Sequence, residues 1–197
     1  KGVEDGGNKS GVPTVNGAIY FDQDYAGKPL VFCGTVGVMP QELSDGFPAY
    51  EKRAKPGDRI IMVGGDIGAD GVRGAKFSSM ELDESAPATA VQIGDPLTQK
   101  KVMDFLLEAR DRLLFSSITD NGAGGLSSSV GEMATATGGA TIDLALCPVK
   151  YPGLSAWELM ISESQERMTF AVPKEDVKAF LELARARGVS ASDLGEF

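Results

Sequence analysis

Along this 197-residue chain the apolar positions fall into two periodicities. Between Thr98 and Leu113, the residues Val102, Phe105, Leu106, Ala109 and Leu113 recur at i, i+3, i+4, i+7 and i+11, which predicts one buried face of an α-helix. Val177, Phe180, Leu181 and Ala184 repeat that spacing between Lys174 and Arg187. This second segment follows Pro173, begins with Glu175-Asp176 and ends with Arg185, Arg187 and Gly188, placements that a helix dipole and a C-cap favour. A third helix is predicted from Leu126 to Thr137, with Leu126, Val130, Met133 and Ala134 inward and Gly138 as its stop. Short runs rich in β-formers predict a buried strand at Pro29–Val38 and further strands at Arg59–Val63, Ala90–Ile93, Ser117–Asp120, Thr141–Leu146 and Met168–Val172. Lys1 to Asn8 reads as a glycine-rich lead-in, and Lys55-Pro56-Gly57-Asp58 is a turn signal at which a domain boundary is placed. Strands and helices interleave without an internal repeat, so the class is α/β or α+β.

Composition narrows the chemistry. Hydrophobic residues make up 42% and charged residues 24%, enough for a packed core. The 28 acidic against 19 basic residues leave a net charge of −9, which argues against nucleic acid or an anionic membrane as the main partner. An acidic chain still binds phosphate where a metal ion or backbone N–H groups supply local positive charge. There is no histidine, which excludes within this chain a Ser-His-Asp triad, a Cys-His pair and a His-ligated zinc or iron site. Any metal is therefore expected on carboxylate oxygens, magnesium first. Cys33 and Cys147, far apart and without a C-x-x-C, read as two ordinary buried thiols of a reducing compartment. With no run of about 18 apolar residues and no secretory leader, the expected location is the cytoplasm.

Four constellations can carry chemistry. In Gly64–Gly74, immediately after a predicted strand, glycine recurs at 65, 68, 71 and 74, so Gly71 and Gly74 are candidate phosphate contacts; the alternative is a wide turn. In Ile118–Gly125, Asp120 sits at a strand tip before glycines and a helix start, where a hard oxygen can hold magnesium beside a phosphate; the alternative is a turn cap. Ser162-Glu163-Ser164-Gln165-Glu166-Arg167 is a dense polar cluster between two apolar elements, suited to a polar ligand. Its alternative is a solvated loop with an Arg167–Glu ion pair. Gln92, a polar residue inside the apolar VQIGDP run, needs a partner for its amide, either a ligand or neighbouring backbone.

Taken together, GVPTVNG (11–17), DGVRGAKFSS (70–79), VQIGDP (91–96), DNGAGGLSSSVGEMA (120–134) and SESQERM (162–168) occur in that order. The whole resembles formylglycinamide ribonucleotide amidotransferase (phosphoribosylformylglycinamidine synthase), within the superfamily of aminoimidazole ribonucleotide synthetase, selenophosphate synthetase and thiamine-monophosphate kinase. The resemblance implies an α+β fold: residues 54–197 as a synthetase C-terminal-type domain, a mixed sheet packed by helices, and residues 1–53 as the tail of an ATP-binding-type N-terminal subdomain. It implies an ATP-dependent ligase of purine biosynthesis that uses glutamine-derived ammonia and Mg2+. Carried over, Gln92, Glu163, Ser164 and Gln165 match substrate-binding positions and Asp120 matches a magnesium ligand. The family's further acidic and His-containing motifs, its second tandem half and its glutaminase do not occur here, so the chain is expected to be a fragment, inactive alone, whose partners are those missing parts. Competing expectations are a non-catalytic nucleotide-binding or assembly module and a small-molecule kinase or selenophosphate synthetase-like enzyme.

Overall fold

The computed structural model describes residues 2–27, 29–72 and 94–197. The expected strand at Ala90–Ile93, together with Gln92 and Gly74, lies outside the described residues.

The run Ile60-Ile61-Met62-Val63 is apolar on both sides of the chain, a pattern that fits only a strand covered on both faces. It lies in β1 (Arg59–Gly64), with these four side chains at most 1% exposed. Each such burial stabilises the fold by about 1.5–3 kcal/mol. β2 (Ser117–Asp120), β3 (Thr141–Ile142), β4 (Arg167–Val172) and β5 (Ala191–Glu196) complete a sheet of order β2-β4-β1-β5-β3. Where the resemblance implies a mixed sheet, all its strand pairs are antiparallel. Parallel pairing among the described residues is confined to the isolated bridge Ile67–Val149.

Helices cover both faces. α1 (Gly2–Gly6) and a 3-10 turn at Asn8–Ser10 occupy the lead-in, where Ser10 is buried against the chain. α2 (Pro96–Asp111) and α5 (Val177–Ala186) bring Val102, Phe105, Ala109, Phe180, Leu183 and Ala184 onto Ile61, Val63, Phe170 and Val172. Phe105, Phe115, Phe170 and Phe180 pack edge to face there, at centroid separations of 5.0–6.0 Å. On the other face, α3 (Gly125–Thr137) and α4 (Ala156–Ile161) set Leu126, Val130, Met133 and Leu159 against Ile60, Met62 and Ala171. The three periodic segments are therefore helices as read, within a few residues at their ends.

Three expectations are corrected, and one strand stands outside them. Pro29–Val38 is not a strand: it is unpaired among the described residues, and Phe32 and Val36 are 88% and 101% exposed. Cys33 is consequently exposed, and only Cys147 is a buried thiol. The strand expected over Thr141–Leu146 stops after Ile142, because the Asp143 side chain accepts from Ala145 N (3.0 Å) and starts a 3-10 turn. The chain end is strand β5, hidden in sequence by Ser, Asp and Gly but paired along β1 through a bulge between Ile60 and Ile61.

Candidate functional site

β1 and β2 run in the same direction and β4 runs against both, so the end of β1, the end of β2 and the start of β4 meet at one edge of the sheet. Three of the flagged constellations leave from that edge. The Gly65–Val72 loop follows β1, the Asn121–Gly124 loop follows β2, and Ser162–Glu166 leads into β4.

The first and third loops are joined by hydrogen bonds. Gly68 N donates to Ser164 Oγ (2.9 Å), Ser162 Oγ donates to the Gly68 carbonyl (2.7 Å), and Glu163 N donates to the Asp70 carbonyl (2.8 Å). The Asp70 carboxylate accepts from Ser164 Oγ and from Lys150 Nζ (2.7 Å). Burial opposes its charge, but the Lys150 and Ser164 contacts outweigh it and hold the carboxyl below its ordinary range. Ser162 and Ser164 are 0% and 1% exposed, whereas Glu163 is half-buried and Gln165 exposed. The segment thus alternates inward hydroxyls with outward Glu and Gln, as an extended chain does.

The second loop closes on the third. Gly124 N donates to Glu163 Oε1 (3.3 Å) and Asn121 N donates to the Arg167 carbonyl (3.2 Å). Gly124 and Gly125 both have left-handed φ, +81° and +54°. A Cβ on Gly125 would sit inside the van der Waals sphere of the Ser162 carbonyl oxygen, so only glycine allows this approach. Asn121 is buried: its Oδ1 accepts from Thr169 Oγ1 (2.7 Å), while its Nδ2 has no partner among the described residues.

Of the residues singled out from sequence, Glu163 lies between Gly71 and Gly124, close enough that a Cβ on Gly71 would meet its side chain. Ser164 is buried and its hydroxyl is committed to Gly68 and Asp70. Gln165 faces outward, with Nε2 donating to the Glu163 carbonyl (2.9 Å). Asp120 is exposed at the tip of β2, with Oδ1 accepting from Gly122 N (2.8 Å). It offers one hard oxygen toward a cation, but the described residues hold no group of three His, Cys, Asp or Glu able to form a metal cage by themselves.

Sequence reading passed over Asp70, Ser162 and Lys150. The first two stand in flagged runs, but the bond of Ser162 to Gly68 and those of Asp70 to Ser164 and Lys150 are visible only in the fold. Lys150 carries no local signal. The alternative of a solvated loop pairs Arg167 with a Glu; Arg167 is instead 3% exposed and donates to the carbonyls of Ser164 (2.8 Å) and Ser162 (2.6 Å). Burial lowers its pKa to about 10, so it remains a cation at neutral pH. Burial likewise pushes the Cys147 thiol up to about 11, which leaves it protonated and unreactive.

A cavity of about 390 Å3 opens beside the first and third loops, toward α2, and Asp66, Asp95, Lys101, Lys150 and Glu166 line it. Burial raises the Glu166 carboxyl pKa, against a hydrogen bond from Asp95 N. A hollow of about 420 Å3 between α2 and α5 is lined by the surface ion pair Glu108–Arg187 and lies among residues away from these loops.

This architecture and its loop edge define the class. Residues 55–197 match the family model described as AIR synthase related protein, C-terminal domain, and the chain belongs to that family, with its α+β fold. Among particular proteins, it is similar to phosphoribosylformylglycinamidine synthase subunit PurL of Methanopyrus kandleri, 40% identical over 99% of this chain and 27% of that protein. It is also similar to Thermotoga maritima PurL complexed with FGAR (TM-score 0.66, 33% identity, 74% of this chain and 24% of that one). The same protein complexed with ATP matches at TM-score 0.61 and 30% identity, over 74% of this chain and 22% of that one. The chain thus spans about a quarter of the length of the relatives it matches. No helix among the described residues is long and apolar enough to cross a membrane.

Proposed function

We propose that this chain supplies part of the ligase that converts formylglycinamide ribonucleotide, ATP and glutamine-derived ammonia to formylglycinamidine ribonucleotide in purine biosynthesis. The observation that carries the reading is the meeting, at one sheet edge, of three motifs separated by about half the chain, in a protein similar to one complexed with FGAR and with ATP. In the reaction, ATP transfers its terminal phosphoryl group to the substrate amide oxygen. Ammonia then adds to the amide carbon and phosphate leaves with that oxygen, so the amide becomes an amidine. Such chemistry needs positioning and charge stabilisation rather than an acid–base histidine, which fits a chain without one.

In this reading Glu163, Gln165 and Gln92 contact the ribonucleotide, and Ser164 orders the segment from beneath. Asp120 would hold Mg2+ through a carboxylate oxygen, and the ion would supply positive charge beside the phosphate. Gly71 and Gly74 lie along a phosphate. Residues 1–53 form the tail of an ATP-binding-type subdomain and residues 54–197 its companion. The remaining subdomains and a glutaminase are the partners, and the enzyme works in the cytoplasm.

The test is calorimetric titration with formylglycinamide ribonucleotide, with and without Mg2+, on the wild type, Gln92→Ala and Gln165→Ala. Saturable binding lost in both variants is the expected result. If the 197 residues alone do not bind, the titration is repeated with the polypeptide expressed at the full length of its gene. A full-length protein that ignores the ribonucleotide overturns the reading.

A further inference from the structure

Arg167 is the most buried arginine among the described residues, and it has no carboxylate partner among them. Arg53, Arg59, Arg110, Arg112 and Arg187 each reach an Asp or Glu near the surface. Arg167 makes no such pair among the described residues. Its Nε donates to Ser164 O, its Nη2 to Ser162 O, and its Nη1 lies 3.8 Å from Met62 Sδ. A buried guanidinium is costly to desolvate, and neutral acceptors return less than a carboxylate would. The neighbouring Asp70 charge already carries Lys150. Among the described residues, the positive charge behind the Ser162–Gln165 segment therefore has only the Asp70 carboxylate near it, and shares that with Lys150.

The contacts are also directional. The planar fork grips the carbonyls of residues 162 and 164, the two positions whose hydroxyls point inward to Gly68 and Asp70. In an extended segment, fixing alternate residues fixes the others, because a slip by one residue exchanges the faces. Holding 162 and 164 thus keeps Glu163 and Gln165 outward. Arg167 O accepts from Asn121 N, so the same residue ties the β2 loop to this register.

We infer that Arg167 is a positioning residue of the ribonucleotide site: its fork sets the register that presents Glu163 and Gln165, and its unpaired charge favours the anionic ligand in front of them. The inference rests on the function proposed above. It assigns Arg167 to the ribonucleotide and not to ATP, which separates it from a general contribution to folding.

The experiment uses the polypeptide expressed at the full length of its gene, with ATP, Mg2+ and ammonia supplied, and measures KM for formylglycinamide ribonucleotide and for ATP. Arg167→Met removes fork and charge; it should raise the ribonucleotide KM by about tenfold or more and leave the ATP KM within about twofold. Arg167→Lys keeps the charge and loses the fork, so its ribonucleotide KM should lie between the two. Equal rises in both KM values, or a ribonucleotide KM unchanged in Arg167→Met, overturn the inference. If Arg167→Met does not fold, Arg167→Lys decides: an unchanged ribonucleotide KM in the folded lysine variant overturns it. A wild-type enzyme that does not turn over the ribonucleotide overturns the functional reading, and this inference falls with it.

Discussion

Pro29–Val38 and Arg59–Val63 are both short apolar runs rich in β-branched residues, yet only the second is a strand. Arg59–Gly64 has a strand on each side, β4 and β5, and helices over both faces. Pro29–Val38 has neither among the described residues; residues 13–42 are exposed at every described position. The difference is one of partners rather than propensity. β-propensity measures how well a side chain fits a pleated and partly buried surface, and where no surface is supplied it selects nothing. β5 makes the converse case. Ala-Ser-Asp-Leu-Gly-Glu is a poor strand sequence, but β1 offers it a ladder, and Arg59 pairs across it with Asp193 at 2.9 Å.

The contrast breaks first in the core. Phe170→Ala, at 0% exposure and in contact with three aromatic neighbours, should cost about 3–5 kcal/mol. That is a large part of the 5–15 kcal/mol typical of a domain, and a urea melt should show a much lower midpoint. A loss below about 1 kcal/mol would mean that β4 is not packed as described. Next comes Gly125→Ala. The substitution needs both a left-handed φ and displacement of the Ser162 carbonyl, so about 2 kcal/mol is expected by the same melt. A neutral result would show that the β2 loop does not close on the Ser162–Glu166 segment.

These two sites mark what was legible in the sequence. The helices over 96–111, 125–137 and 177–186 announced themselves because each buries one stripe, and burial of a stripe forces a period. β1 and β4 were legible for a different reason, since burial on both faces leaves a continuous apolar run, and β2 was legible as a short run of β-formers. The site was legible as motifs, since polar and glycine residues stood where apolar ones were due. Its wiring was not. That Ser164 faces inward and Gln165 outward depends on the grip of Arg167, and that Asp70 carries Lys150 joins positions 80 residues apart. Local pattern holds no record of such pairings. An arginine's partner, in particular, is set by what the fold brings near it and not by the nearest Glu in sequence.

Smaller effects sharpen the comparison on the loop side. Asp70→Asn removes the charge that pairs with Lys150, for about 1 kcal/mol at neutral pH. The folded pKa of Asp70 is depressed, so its stabilisation is present above the unfolded value and is lost as pH falls through the folded one. The gap between wild type and variant, read from melts, should therefore close below about pH 4. A gap that persists there would assign the effect to packing. Glu166 has the opposite sign: burial raises its folded pKa, so its ionised form weakens the fold as pH rises through that value. Glu166→Gln keeps an acceptor for Asp95 N and should gain up to about 0.5 kcal/mol at pH 7, and nothing at pH 4.

The smallest effect is expected where the sequence looks most core-like. Phe32→Lys with Val36→Lys replaces two apolar side chains that touch water over nearly their whole surface, 88% and 101% exposed. Nothing is desolvated there for the lysines to undo, so the unfolding free energy of this 197-residue chain, read from a urea melt, should change by less than about 0.5 kcal/mol. The same change should lower self-association measured by light scattering, because an unpaired apolar β-run is a template for another copy and charge blocks it. A loss of several kcal/mol would show that Pro29–Val38 is packed after all, and the two apolar runs would then differ in sequence alone and not in their partners.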